Sequence, residues 1–181
     1  KIEERLTSYS ANMQQLTAMI LDRGIALSYL VPTIYDDQVQ VEAPIRAGGN
    51  AALGRAREVV YGLAKKHRCP VVDFYTIMNE VNAHYQAEDP TFTVVGKDRV
   101  HPGNEGHLLM AYQFLKAQQM PATVSKVTID AREVEVKTTE NATVSYLRRN
   151  NPGYLYFAIK AKALPFPLEG NAALSWVPLQ Q

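Results

Sequence analysis

The chain has 181 residues and 20.2 kDa, with 46% hydrophobic and 20% charged residues, a composition that supports a globular domain with a sizeable core. Its 19 Lys+Arg and 18 Asp+Glu leave a formal charge of +1, which argues against a phosphate-gripping surface and so against nucleic acid as the main partner. A single cysteine, Cys69, excludes an intrachain disulfide and a Cys-based zinc cluster while leaving the redox compartment open, and no apolar run approaches the roughly 18 residues of a membrane span.

The chain opens Lys1-Ile2-Glu3-Glu4-Arg5, with no initiator Met and none of the basic-then-apolar pattern of a signal peptide. Ile2, Leu6, Tyr9, Met13, Leu16 and Ile20 recur at helical spacings, which predicts a helix running from the first residue with all six on one face and ending near Asp22-Arg23-Gly24. A helix without a lead-in, and an aromatic tail from Ala172 to Pro178 with nothing after it to bury it, lead to the expectation that both ends are truncations. The apolar run from Ile25 to Val31, closed by Pro32, predicts a parallel strand buried on both faces, with Ser28 turned to the interior. Asn50 is expected to cap a second helix with Leu53, Ala56, Val60, Leu63 and His67 on one stripe and Lys65, Lys66 and Arg68 at its C-terminal end, where the helix dipole favours cations. Residues 70–74 predict a second buried strand, 76–86 a third helix, and 103–118 a fourth with Leu108, Tyr112 and Leu115 inside.

Helix, strand, helix, strand, helix is the order of an α/β sheet with right-handed crossovers, yet only two of the five or six strands usual in a doubly wound sheet precede residue 120. Beyond Pro121 the period becomes two, in Val127/Ile129, Val134/Val136, Val144/Tyr146 and Leu155/Phe157/Ile159, with an Asn150-Asn151-Pro152-Gly153 turn between the last two. This predicts a small antiparallel β unit, divided from the rest near residues 119–124.

The sharpest chemical feature is the loop Gly96-Lys97-Asp98-Arg99-Val100-His101-Pro102-Gly103 leading into the fourth helix. Asp98 and His101 are three apart in a loop tightened by Pro102 and Gly103, a spacing that lets a carboxylate accept a hydrogen bond from Nδ1–H and leaves Nε2 outward as a base. A loop His tied by an Asp for local order satisfies the same spacing.

Asp98-Arg99-Val100-His101-Pro102, followed by Asn104-Glu105-Gly106-His107 and a helix, resembles the last block of the SGNH (GDSL-type) esterases and acylhydrolases. The upstream order, a helix, a strand ending in Val31-Pro32-Thr33-Ile34-Tyr35-Asp36, a long helix, a strand Val71-Val72-Asp73-Phe74 and a helix, is similar to the C-terminal half of that domain, so the resemblance covers about residues 1–120. Residues 121–181 lie outside it and are read as a β-rich appendage that covers or flanks the active-site mouth; the resemblance implies an α/β fold, a three-layer α/β/α flavodoxin-like SGNH hydrolase domain, incomplete at the N-terminus. It further implies serine ester hydrolysis without a cofactor, on a small-molecule or carbohydrate ester, with His101 as general base and Asp98 as its orienter, in a protein exported to the periplasm or the extracellular space. The family's Gly-Asp-Ser, oxyanion-hole Gly and Gly-x-Asn have no counterpart here, and Ser8, Ser10, Ser28, Ser125, Ser145 and Ser175 show no Gly-x-Ser-x-Gly elbow. Without nucleophile and oxyanion donors the chain is expected to be inactive alone and to work with a complementary N-terminal segment of the same protein.

Other residues carry weaker readings. Asp36 and Asp37 follow a parallel strand, where ligand crevices form, but suit a solvated turn. Gly48-Gly49-Asn50 suits an anion cradle, or a flexible loop and helix cap, since the Lys and hydroxyl of a P-loop are absent. Asp73 lines the same crevice or, by preference, caps the third helix. His107 with His101 and Asp98 lacks a third metal ligand of convincing spacing, so no metal is assigned. His67 and His84 read as helix-surface or interfacial residues, and Asn141-Ala142-Thr143 is a sequon meaningful only in a eukaryotic secretory protein. Tyr154, Tyr156 and Trp176 suit a sugar-stacking surface or packing on the main domain. These aromatics define the competing class, a non-catalytic carbohydrate-binding or scaffold module.

Overall fold

A computed structural model describes residues 1–151 and 153–164; Ser175 and Trp176, with the rest of the aromatic tail, lie outside the described residues. Lys1–Met120 belong to one compact unit and the described residues from Pro121 onward to a second. The order is α1 (Ile2–Leu21), β1 (Tyr29–Leu30), α2 (Gly49–His67), β2 (Val71–Val72), α3 (Phe74–Gln86), α4 (Asn104–Ala117), then β3 (Lys126–Asp130), β4 (Glu135–Glu140), β5 (Ala142–Arg149) and β6 (Leu155–Ala161). Among the described residues no helix is long and apolar enough to cross a membrane.

In the first unit β1 and β2 pair in parallel, Tyr29 opposite Val71 and Leu30 opposite Val72. Tyr29 and Val31 join Val60, Leu63 and Ala64 of α2 in a core cluster against which Tyr9 and Met13 of α1, Leu27, Cys69 and Val71 also pack. Period two turns the neighbouring residues to the opposite face. There Val72 is buried on the side where α4 meets β2, whereas Leu30, one strand over, is 51% exposed. Burial of the first strand on both faces is therefore corrected: the Leu30 face of β1 is about half exposed. For the same reason Ser28 is exposed and precedes the strand rather than pointing inward.

Helix faces agree with the periodicity in part, and Ile2, at the start of α1, is exposed. Leu16 of α1 is exposed and Thr17 is buried in its place, because the Thr17 hydroxyl shares a 2.6 Å hydrogen bond with the Tyr29 hydroxyl and donates to the Met13 carbonyl at 2.7 Å. The α2 stripe is as expected at Ala56, Val60 and Leu63. The start of α2 is not. It begins at Gly49 behind Gly48 in the left-handed region (φ 76°), so Asn50 lies inside the helix and does not cap it. In α3, Asp73 is the cap, accepting from the Thr76 N–H at 2.9 Å, and Phe74 and Tyr75 are already helical. The inner face of α4 runs through Gly106 and Leu109 rather than Leu115, which is exposed, because the helix is drawn onto the Val94 carbonyl at Gly106.

The second unit is built from two antiparallel hairpins, β3 with β4 and β5 with β6. Val134 falls in the β3–β4 turn (φ 55°) rather than in a strand. A register shift between Ser145 and Arg148 places Tyr146 (φ 57°) at a bulge, which turns its ring outward into solvent.

Candidate active-site loop and its supports

Residues 94–103 form a hairpin-like loop on the way into α4. The Gly103 N–H donates to the Val94 carbonyl at 3.0 Å, the Gly96 N–H to the His101 carbonyl at 2.5 Å, and the Arg99 N–H to the Gly96 carbonyl at 2.9 Å. At its tip Asp98 Oδ1 accepts the N–H groups of Val100 and His101, both at 3.1 Å, and Asp98 Oδ2 lies 2.5 Å from His101 Nδ1. The His101 ring donates first, and the two N–H groups add to it, so the Asp98 carboxyl is held well below its ordinary value, at about 2. Asp98 is thus ionised at neutral pH, His101 is fixed through Nδ1, and Nε2 is free of the carboxylate. The side chains of Asp98 and His101 are 53% and 84% exposed.

The residue between them is the opposite. Arg99 is 2% exposed and has a left-handed backbone (φ 70°). Its guanidinium enters a ring of carbonyls from the segment after β1: Nε donates to Ala43 at 3.0 Å, one terminal nitrogen to Asp36 at 3.0 Å and Val39 at 2.8 Å, the other to Val41 at 3.1 Å. The Asp36 N–H returns a bond to the Arg99 carbonyl at 2.9 Å. A buried cation is tolerated only with its donors satisfied, and here four of the five N–H groups are.

Asp36 is 4% exposed and so is not the residue of a solvated turn. Its Oδ1 accepts the N–H groups of Gln38 and Val39, and its Oδ2 accepts the side-chain amides of Asn82 and Gln86, both at 2.8 Å. Asn82 also accepts the Val94 N–H at 2.9 Å, which ties the base of the His101 loop to α3. Asn50 bridges as well, accepting from the Tyr35 N–H and donating to Asn79 at 2.7 Å. Asp36, Asp37, Asn50, Asn79, Asn82 and Gln86 line a cleft of about 470 Å³. Its amides are largely engaged with one another and with Asp36, so they stiffen the wall.

The remaining candidates are placed elsewhere. Gly49 serves contact, since a Cβ there would lie 2.7 Å from the Tyr35 ring. Burial pushes the Asp73 carboxyl upward, but bonds from Thr76, Arg57 and Tyr61 outweigh it and hold the group below its ordinary value, which leaves this carboxylate occupied by structure. His107 is exposed on α4, His67 is part-buried at the end of α2, and the His84 ring meets Tyr85 edge-on at 4.8 Å. Among the described residues no three His, Cys, Asp or Glu side chains gather as a metal site. Asn141 precedes β5 with its carbonyl bonded to the Lys162 N–H. Tyr154 and Tyr156 are exposed on the last hairpin, Tyr156 beneath the Arg148 guanidinium. The described serines lie on α1, before β1, before β3 and in β5, and none of them bonds His101.

No family model matches the sequence, and no curated protein matches it. Solved structures do. The gut microbial diltiazem-metabolizing enzyme BT4096 is 27% identical with a TM-score of 0.72 over 90% of this chain and 38% of its own. Two variants of Axe2, an acetyl-xylooligosaccharide esterase from Geobacillus stearothermophilus, are 21% identical with a TM-score of 0.50 over 64% of this chain and 48% of theirs. The likeness to Axe2 is one of fold, an α/β fold. The chain spans well under half the length of BT4096.

Proposed function

We propose that this chain carries the general base and its orienting carboxylate for a serine ester hydrolase. The observation that carries the reading is the Asp98–His101 hydrogen bond in a loop whose backbone is tied at Val94, Gly96 and Arg99. The α/β fold shared with Axe2, the likeness to the diltiazem-metabolizing enzyme BT4096, and the resemblance of the Asp98-to-His107 block to SGNH esterases support it. On this reading residues 1–120 are the C-terminal part of a three-layer SGNH-hydrolase-like domain and residues 121–181 a β-rich appendage.

A serine from a complementary N-terminal segment of the same protein attacks the ester carbonyl while His101 Nε2 takes its proton. Asp98, ionised and bonded to Nδ1, holds the tautomer and stabilises the imidazolium. The imidazolium then returns the proton to the leaving alcohol, and water, deprotonated by the same nitrogen, releases the acid. The 181 residues alone lack this nucleophile and hydrolyse no ester. Substrates are small-molecule or carbohydrate esters, and export to the periplasm or extracellular space goes with the family resemblance.

A serine-directed fluorophosphonate probe tests the reading on the protein with its upstream sequence joined. Labelling that disappears in the His101→Ala variant is expected. Absence of labelling, or labelling indifferent to His101, overturns it. The exposed Tyr154 and Tyr156 favour the second reading, a carbohydrate-binding module. That reading requires retardation of the chain in polysaccharide gels, abolished by alanine at both positions.

A further inference from the structure

We infer that Arg99 is the positioning residue of the Asp98–His101 pair, holding the exposed pair in register from below; the inference rests on the hydrolase reading for its purpose, though not for its geometry. At the tip of the loop, Lys97, Asp98, Val100 and His101 are all exposed, and Arg99 alone is buried. Asp98 and His101 make their side-chain bonds to each other and to the N–H groups of the tip itself, so these bonds leave the tip free to move as a body. The constraint from outside comes through Arg99. Its side chain binds the Asp36, Val39, Val41 and Ala43 carbonyls, and its own carbonyl accepts from Asp36.

Its placement also sets the turn. Arg99 sits at φ 70°, a conformation that side-chain-bearing residues adopt reluctantly and hold only when surroundings fix it. The guanidinium supplies that fixing: a planar fork meets four carbonyls at once, which no single-point donor does. The left-handed residue reverses the chain between Asp98 and His101 and so brings the carboxylate onto Nδ1. Asp36 holds the cradle in shape through the N–H groups of Gln38 and Val39 and through Asn82 and Gln86.

The test reads the tautomer of neutral His101 by ring 15N–1H correlation at alkaline pH, in the native chain and in Arg99→Gln and Arg99→Lys. His101 is one of four histidines, so His101→Ala assigns its signals. With Asp98 accepting from Nδ1, the native ring is mainly the Nδ1–H form; an imidazole freed from the carboxylate turns mainly to Nε2–H. Arg99→Gln, shorter and with two donors, is expected to invert the ratio in a folded protein. Arg99→Lys, with three donors at one point, is expected to fold and to lie between the two. A purely structural anchor would lower the melting temperature and leave the tautomer unchanged. A native ratio in both folded variants, or in Arg99→Lys where Arg99→Gln does not fold, overturns the inference. Failure of the hydrolase reading shows separately, as absent fluorophosphonate labelling of the protein with its upstream sequence joined.

Discussion

Gly106 stands in the first turn of α4, directly over the loop that carries His101. A Cβ built there falls far inside contact distance of the Val94 carbonyl oxygen and 2.9 Å from the Pro102 Cβ. Neither obstacle is the end of a flexible side chain. To restore ordinary contact, α4 or the Val94 backbone must shift by roughly 1 Å, and overpacking of this kind costs about 1–3 kcal/mol. Helix propensity opposes it by up to about 1 kcal/mol, so the Gly106→Ala protein is expected to lose about 1–2 kcal/mol, or roughly 2–8 °C in melting temperature. Gly62, in the middle of α2, is the control: nothing lies within 4 Å of its Cβ position. Gly62→Ala is expected to gain about 0.5–1 kcal/mol from the same propensity term. Thermal and urea unfolding of both variants, followed by circular dichroism, measure the pair. A Gly106→Ala protein as stable as the native one, or more so, refutes the packing argument, and the Gly62 result shows whether the propensity term was at fault.

Two further outcomes follow from particular bonds. The Asp98 carboxyl, held at about 2 by His101 and the N–H groups of Val100 and His101, is depressed from the ordinary 3.8; stability from its ionised form is present above the unfolded value and is lost as pH falls through about 2. A 13C titration of Asp98 is expected to find that midpoint, and in His101→Ala to find it raised but still below 3.8, since the backbone donors persist; an unmoved midpoint refutes the imidazole as main cause. Thr17→Val strands the buried Tyr29 hydroxyl and is expected to cost about 1–3 kcal/mol, while adding Tyr29→Phe recovers part of the loss. Additivity of the two changes within about 0.5 kcal/mol in a urea double-mutant cycle sinks that account.

What could be read from the sequence was what neighbours in sequence settle. The Asp98–His101 pair is an i,i+3 contact within one turn, the Asp73 cap reaches three residues forward, and the α2 stripe repeats at helical period. Each is a local interaction whose partners the spacing already names. The reading failed where a polar group outweighed periodicity, as at Thr17, or where a residue had a distant use. Asn50 looked like a cap and is a bridge to Asn79, and Asp36 looked like a turn residue and is a buried acceptor for Asn82 and Gln86.

The 181 residues at near-neutral charge marked a globular α/β chain, and its Asp-x-x-His loop supplied a carboxylate and an imidazole already in reach of each other. Only the tertiary structure decided what holds that loop. Arg99 finds its carbonyl acceptors 56 to 63 residues earlier, and Gly106 is needed because α4 lands on Val94. Spacing names a partner three residues away because backbone geometry brings it there; a partner sixty residues away is named only when the folded chain returns.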